Sequence, residues 1–220
     1  MPVRKIPKNY LGVTGSFASR KNGQMGGFES LLEKDYMLLL DFDESVESFE
    51  EQPVTIPVPG VAKGYTPDVL VHYRADPVTG EIRKSLLTEI KHTDDLQKNA
   101  EKYAPKFAAA EQYAIERGWE FSITTQTQIR TPRLGNLKFL REYRNIQPSE
   151  QDCLKVIRLA TKFKGITTPQ KLLTRLGATD EEQLYWLPII WSLVISGRLV
   201  ADLSSPFDDD VTLLLPANSS

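Results

Sequence analysis

Thr66-Pro67-Asp68-Val69-Leu70-Val71-His72-Tyr73-Arg74 and Ile82 to Lys91, the latter ending Thr88-Glu89-Ile90-Lys91, decide the fold. The first run is β-branched, apolar and aromatic, which favours a strand. Asp76-Pro77-Val78-Thr79-Gly80-Glu81 between them carries turn chemistry. The two runs are therefore expected to form a hairpin, with Ile82–Lys91 as the return strand. Side chains alternate along a strand, so Glu89 and Lys91 share one face and Ile90 takes the other. Pairing that is symmetric about the turn sets Asp68 opposite Glu89, where Cβ atoms lie roughly 4.5–5.5 Å apart. One face then gathers two carboxylates and an ammonium. Carboxylates that close repel unless a cation lies between them. Oxygen ligands of this kind suit a hard metal, Mg²⁺ with Mn²⁺ as substitute. A lysine beside them can hold an attacking water or a phosphate. The competing reading is a surface hairpin with a cross-strand salt bridge.

Around this hairpin the composition is that of an ordinary soluble globular chain: 220 residues, 40% hydrophobic and 25% charged. The net charge of −2 supplies no global attraction to nucleic acid, so any DNA contact must come from local basic patches. The single Cys153 excludes a disulfide framework and a cysteine zinc site. Two histidines, His72 and His92, leave little for histidine chemistry. No stretch is long and apolar enough to span a membrane, and no apolar signal core opens the chain. A cytoplasmic, bacterial protein is expected.

Upstream of the hairpin, residues 1–28 hold Arg4, Lys5, Lys8, Arg20 and Lys21, no acid, and several glycines. They read as a basic arm along a phosphate backbone or as a disordered tail. Ser30-Leu31-Leu32-Glu33 opens a helix to Leu40. Ser30 to Glu33 is a capping box. The other role for Glu33, or for Glu29 one turn earlier, is a third carboxylate beside the metal site.

Five blocks in this order resemble one known family. They are Phe28-Glu29-Ser30-Leu31-Leu32-Glu33, Leu39-Leu40-Asp41-Phe42-Asp43, Val46 with Phe49-Glu50-Glu51-Gln52-Pro53, Thr66-Pro67-Asp68, and Thr88-Glu89-Ile90-Lys91. Together they resemble the TnsA endonucleases, nuclease subunits of heteromeric cut-and-paste transposases that include CRISPR-associated ones. The resemblance covers about residues 10–145 and, more weakly, the C-terminal part. It implies an α/β protein with a restriction-endonuclease-like PD-(D/E)xK domain. It also implies a Mg²⁺ site of Asp68, Glu89 and the Ile90 carbonyl, with Glu33 completing it and Lys91 orienting the water. The activity it implies is a cut of the 5′, non-transferred strand of double-stranded DNA at transposon ends. The implied partners are a TnsB-like DDE transposase and a TnsC-like AAA+ ATPase. A restriction or repair nuclease of the same fold, or a non-catalytic assembly module, are the alternatives.

Downstream, Leu96 to Gly118 reads as a helix whose aromatic stripe faces the core, with a kink or start at Pro105. Phe121–Thr125 reads as a further strand. The loop after it carries Arg130 and Arg133 as candidate phosphate contacts. Residues 1–145 are taken as the nuclease domain and 146–220 as a second. Three capped helices and two short strands in 146–220 look like a winged helix. That segment carries seven Lys or Arg against nine Asp or Glu, and its third helix has no base between Asp180 and Gly197. A groove-reading helix usually carries them. A protein-docking role is therefore expected for it.

Overall fold

A computed structural model describes residues 14–23, 25–208 and 210–216. The residues before 14, which hold Arg4, Lys5 and Lys8 of the proposed basic arm, lie outside the described residues. So does Asp209 of the acidic run near the end.

The chain forms two compact units, 1–130 and 131–220. The first begins with a hairpin of β1 (Gly15–Ala18) and β2 (Met25–Phe28), then α1 (Leu31–Phe42) and β3 (Val46–Glu51). A second hairpin follows, β4 (Ile56–Val58) with β5 (Val61–Tyr65). Next come β6 (Val69–Tyr73), β7 (Leu86–Lys91), α2 (Thr93–Lys98), α3 (Ala100–Glu116), β8 (Glu120–Thr125) and α4 (Gln126–Ile129). The main sheet has the order β3-β6-β7-β8. β7 runs antiparallel to β6 and parallel to β8, and α2 and α3 supply the crossover that parallel strands require.

The expected hairpin is present in the expected register, with Val69 on Thr88, Leu70 on Leu87 and Val71 on Leu86. The turn chemistry explains it. Asp76 accepts from the Val78 and Thr79 amides at 2.9 and 2.8 Å, and Gly80 takes φ +74°. The return strand is shorter than expected, because only Ile82 bridges back to Ala75 before pairing resumes at Leu86. Arg83 instead lies over the Tyr73 ring at 3.9 Å and donates to the Ser45 hydroxyl.

β7 is buried from Leu87 to Ile90 because helices cover both of its faces. On one face α3 lays Ala110 and Ala114, both fully buried, with Phe107 and Tyr113. Leu70, Leu87 and the β4–β5 hairpin complete that core. Burying a side chain such as Leu87 contributes about 1.5–3 kcal/mol. Against β7 and β3 packs α1, whose buried Leu32, Tyr36 and Leu40 recur at helical spacing. The single helix expected over 96–118 is two: Asn99 ends α2 and begins α3, and Pro105 lies inside α3 without ending it. Gly118, at φ +70°, does stop α3. Gln126–Ile129, expected as loop, is a short helix because Thr125 and Gln128 form a capping box.

The second unit holds α5 (Pro132–Arg141), α6 (Glu150–Lys162), β9 (Ile166–Thr167), α7 (Pro169–Leu176), α8 (Asp180–Ile195), β10 (Val200–Ala201) and β11 (Leu213–Leu214). The strands form a small antiparallel sheet in the order β10-β11-β9. The division after Arg130 differs from the expected one at 145, and α5 is the reason. Its buried Asn136 donates to the Leu203 and Ser205 carbonyls and accepts from the Phe207 amide. Phe139 packs edge-on to Trp191 of α8 at 4.9 Å. Trp186 and Trp191 are core, whereas Leu184 and Tyr185 are exposed at 68% and 57%.

Candidate active site

Asp68 stands just ahead of β6, between Pro67 and Val69. Its main chain is held on both sides: the Gln52 amide donates to its carbonyl at 2.8 Å, and its own amide donates to the Thr88 carbonyl at 3.1 Å. Gln52 adopts a left-handed backbone, φ +45°, which is uncommon without glycine. The Ile90 amide donates at 2.7 Å to Asp68 Oδ2, so the side chain accepts from the neighbouring strand.

Glu89 follows on β7, with its side chain only 4% exposed. Its Oε2 accepts from the Tyr65 hydroxyl at 2.7 Å, and its Oε1 meets Lys91 Nζ at 2.7 Å. The Lys91 ammonium also lies 3.7 Å from Asp68 Oδ2 and 3.2 Å from the Ile90 carbonyl. One cation thus touches the two carboxylates and the main-chain oxygen that the sequence singled out.

The electrostatics follow from burial. Asp68 is pushed well above the usual carboxylate range, first by loss of water and then by the charge of Glu89. Lys91 and the Ile90 amide oppose that rise without cancelling it. Burial alone would lower Lys91, but Asp68 and Glu89 outweigh it and hold the ammonium above its ordinary range. With both carboxylates ionised the one ammonium does not balance them, and a further cation would relieve that repulsion.

Glu33 behaves as a helix cap in this conformation. Its carboxylate accepts from the Glu29 amide at 2.8 Å and from the Ser30 hydroxyl at 2.9 Å, while its own amide donates to Ser30 Oγ. It is close enough for its charge to act on Asp68 and for Lys91 to act on it. Burial raises its pKa. Among the described residues no three or more His, Cys, Asp or Glu are arranged to hold a metal ion. Glu33 is thus not joined to Asp68 and Glu89 here. The donor set that is joined, two carboxylates and a carbonyl, still fits Mg²⁺, which is often held by one or two carboxylates and keeps several waters.

The basic candidates are dispersed. Lys21 turns its ammonium inward to the Asp43 and Val46 carbonyls, and burial lowers its pKa. Arg20 is exposed, and with Lys21, Arg74 and Arg83 it lines a cavity of about 770 Å³. Arg74 follows the end of β6, six residues and roughly 20 Å from Asp68 at about 3.3 Å per residue. Arg130 lies 3.3 Å from the buried Asp35, so its guanidinium is engaged within the first unit. Arg133 is exposed on the first turn of α5, in the second unit.

Tyr65 escaped the sequence reading. It ends β5 and carries no motif, and only the packing of the β4–β5 hairpin brings it to Glu89. Its pKa is raised by burial and by the Glu89 charge, so it remains the donor. A hydrogen bond to a charged group contributes about 1.5–3 kcal/mol. Tyr65→Phe is therefore expected to weaken Mn²⁺ binding and slow cleavage by roughly 10- to 100-fold. Calorimetry and a nicking assay measure both, and an unchanged Mn²⁺ affinity would leave Tyr65 as packing alone.

Residues 43–126 match the family model described as TnsA-like endonuclease N terminal. That stretch contains Asp68, Glu89, Ile90 and Lys91, and it excludes Glu33, Arg130 and Arg133. No curated protein matches the chain.

Proposed function

We propose, from a chain whose residues 43–126 are a TnsA-type endonuclease domain, that Asp68, Glu89 and Lys91 cut DNA at the ends of a mobile element. The family supports a nuclease role in transposition, and a restriction-endonuclease-like fold fits the mixed sheet with its flanking helices. The observation that carries the site is the single ammonium shared by Asp68, Glu89 and the Ile90 carbonyl. Those three groups would hold Mg²⁺, or Mn²⁺ in its place. When bound, the ion would polarise a phosphoryl oxygen and lower the pKa of a bound water. Lys91 holds the attacking water beside Asp68 and accepts its hydrogen-bond geometry from Glu89. Tyr65 fixes the Glu89 carboxylate. Glu33 closes the site from the start of α1, as cap in one state and as a third carboxylate in another.

The strand cut is the 5′, non-transferred strand of duplex DNA. The chain works beside a DDE transposase and under an AAA+ ATPase. No helix among the described residues is long and apolar enough to cross a membrane. The test is cleavage of a plasmid carrying the element's ends by the full chain with its transposase and ATPase. Mg²⁺-dependent 5′ cuts at the ends are expected. Cutting of any bare plasmid by this chain alone would point to a restriction nuclease.

The second unit is the docking unit in this scheme, with a winged-helix-like arrangement of α6, α7, α8 and the small sheet. α8 carries no base, and Ile166, Leu214 and Val200 line up exposed across the three strands. A fragment of 131–220 is expected to show almost no binding to duplex DNA at low salt and to retain the transposase or ATPase. Tight, salt-sensitive DNA binding with no partner retained would restore the DNA-reading role.

A further inference from the structure

Helix α3 carries Lys102 and Lys106 one turn apart, and both bring their ammonium groups within 5.9 Å of the same ring, Tyr103. Like charges at this spacing destabilise a helix by about 0.2–0.5 kcal/mol. Among the described residues neither lysine forms an ion pair with a carboxylate. The nearest acids of the helix, Glu101 and Glu111, lie on other faces of its 3.6-residue turn. Two cations held together, with Asp95 near only Lys102 and engaged by Tyr103 and Asn99, leave room for an anion beside them.

The ring under them is fixed. Tyr103 donates from its hydroxyl to Asp95 Oδ2 at 2.7 Å and stacks on Phe107 with centroids 5.3 Å apart. Asp95 is itself held by Asn99 Nδ2 at 2.7 Å. The base is therefore anchored to α2, which begins two residues after Lys91. The charges of Lys91 and Glu89 both reach the Tyr103 hydroxyl, and those of Lys91 and Lys102 both reach Asp95. The lysine pair thus flanks the acid cluster on the same unit. Lys98, exposed in the last turn of α2, continues the positive strip.

We propose that Lys102 and Lys106, seated on the Tyr103 ring, grip the DNA backbone beside the phosphodiester that the Asp68–Glu89 cluster cuts. The ligand is a pair of consecutive strand phosphates, recognised by charge and not by base sequence. This rests on the nuclease reading, but its test measures binding and not cleavage. The full chain carrying Asp68→Asn serves as the parent, and Lys102→Ala/Lys106→Ala is added to it. Duplex affinity is then titrated against salt. The double variant is expected to lose affinity equally for unrelated sequences, and its log–log salt slope should fall by roughly 1 to 2. Its melting temperature should be no lower than the parent's. A salt slope equal to the parent's, or a parent with no duplex affinity at all, overturns the clamp. Cleavage is read separately, in the chain that keeps Asp68: cutting there beside an unchanged slope leaves the nuclease reading standing without the clamp, whereas no cutting there beside a reduced slope sinks that reading and keeps the clamp. Lys102→Arg/Lys106→Arg should restore the parental slope, which a merely structural role for the two lysines would not predict.

Discussion

Exchange of Asp68 for Asn is expected to abolish strand cleavage while raising the stability of the metal-free protein. The side chain shares the Lys91 ammonium with Glu89 and accepts from the Ile90 amide. Asn keeps an oxygen for that amide, which Ala would leave as a buried N–H costing about 1–3 kcal/mol. It removes the charge that a divalent ion would need. Losing several kcal/mol of charge stabilisation in the transition state slows cleavage by on the order of 10³-fold. Stability goes the other way because the Asp68 pKa is raised in the folded protein. A carboxyl with a raised folded pKa binds a proton more readily in the native state than in the unfolded chain. Native stability therefore falls as pH rises from the ordinary aspartate range through that raised value. Thermal melts in a chelator across this window should show the fall in the parent and a flatter course in Asp68→Asn. A melting temperature several degrees lower in the variant, with cleavage retained, would reassign Asp68 to a structural ion pair.

Lys91→Ala should lose cleavage by roughly 10²- to 10⁴-fold, the range for a group that moves or holds a proton, and yet retain Mn²⁺. Lysine is not a ligand of such ions. Its ammonium already occupies the space among Glu89 Oε1, the Ile90 carbonyl and Asp68 Oδ2, at 2.7, 3.2 and 3.7 Å. A metal on those oxygens and an ammonium among them compete for one place. Removing the ammonium adds one unit of negative charge to the site and leaves every ligand present. Mn²⁺ affinity measured by calorimetry is expected to be equal to the parent's or tighter. If affinity collapses together with activity, Lys91 holds the ligands in place and has no separate part in the chemistry.

How much of this was legible before any coordinates follows from the range of the forces involved. The turn at Asp76–Gly80 and the period-two face of Glu89 and Lys91 act between neighbours. The hairpin and its register could therefore be read from the chain, and Val69 does pair with Thr88. The Ser30–Glu33 cap was legible for the same reason. Helix ends at Gly118 and Gly177 carry their own stop signals. Other features depend on which distant segments abut. No helix was expected over Pro132–Arg141, whose Leu134, Leu137 and Leu140 are buried, and only packing on α8 assigns α5 to the second unit. Arg130 looks like a free base until Asp35, 95 residues away, meets it. Tyr65 on Glu89, and Lys102 with Lys106 gathered on Tyr103 beside Lys91, arise where the β4–β5 hairpin and the α2–α3 crossover pack around β7. Local sequence determined the β6–β7 hairpin, the caps and the carboxylate pair. Tertiary packing alone decided their burial, because burial and long-range pairing set which charges meet and which of them water no longer screens.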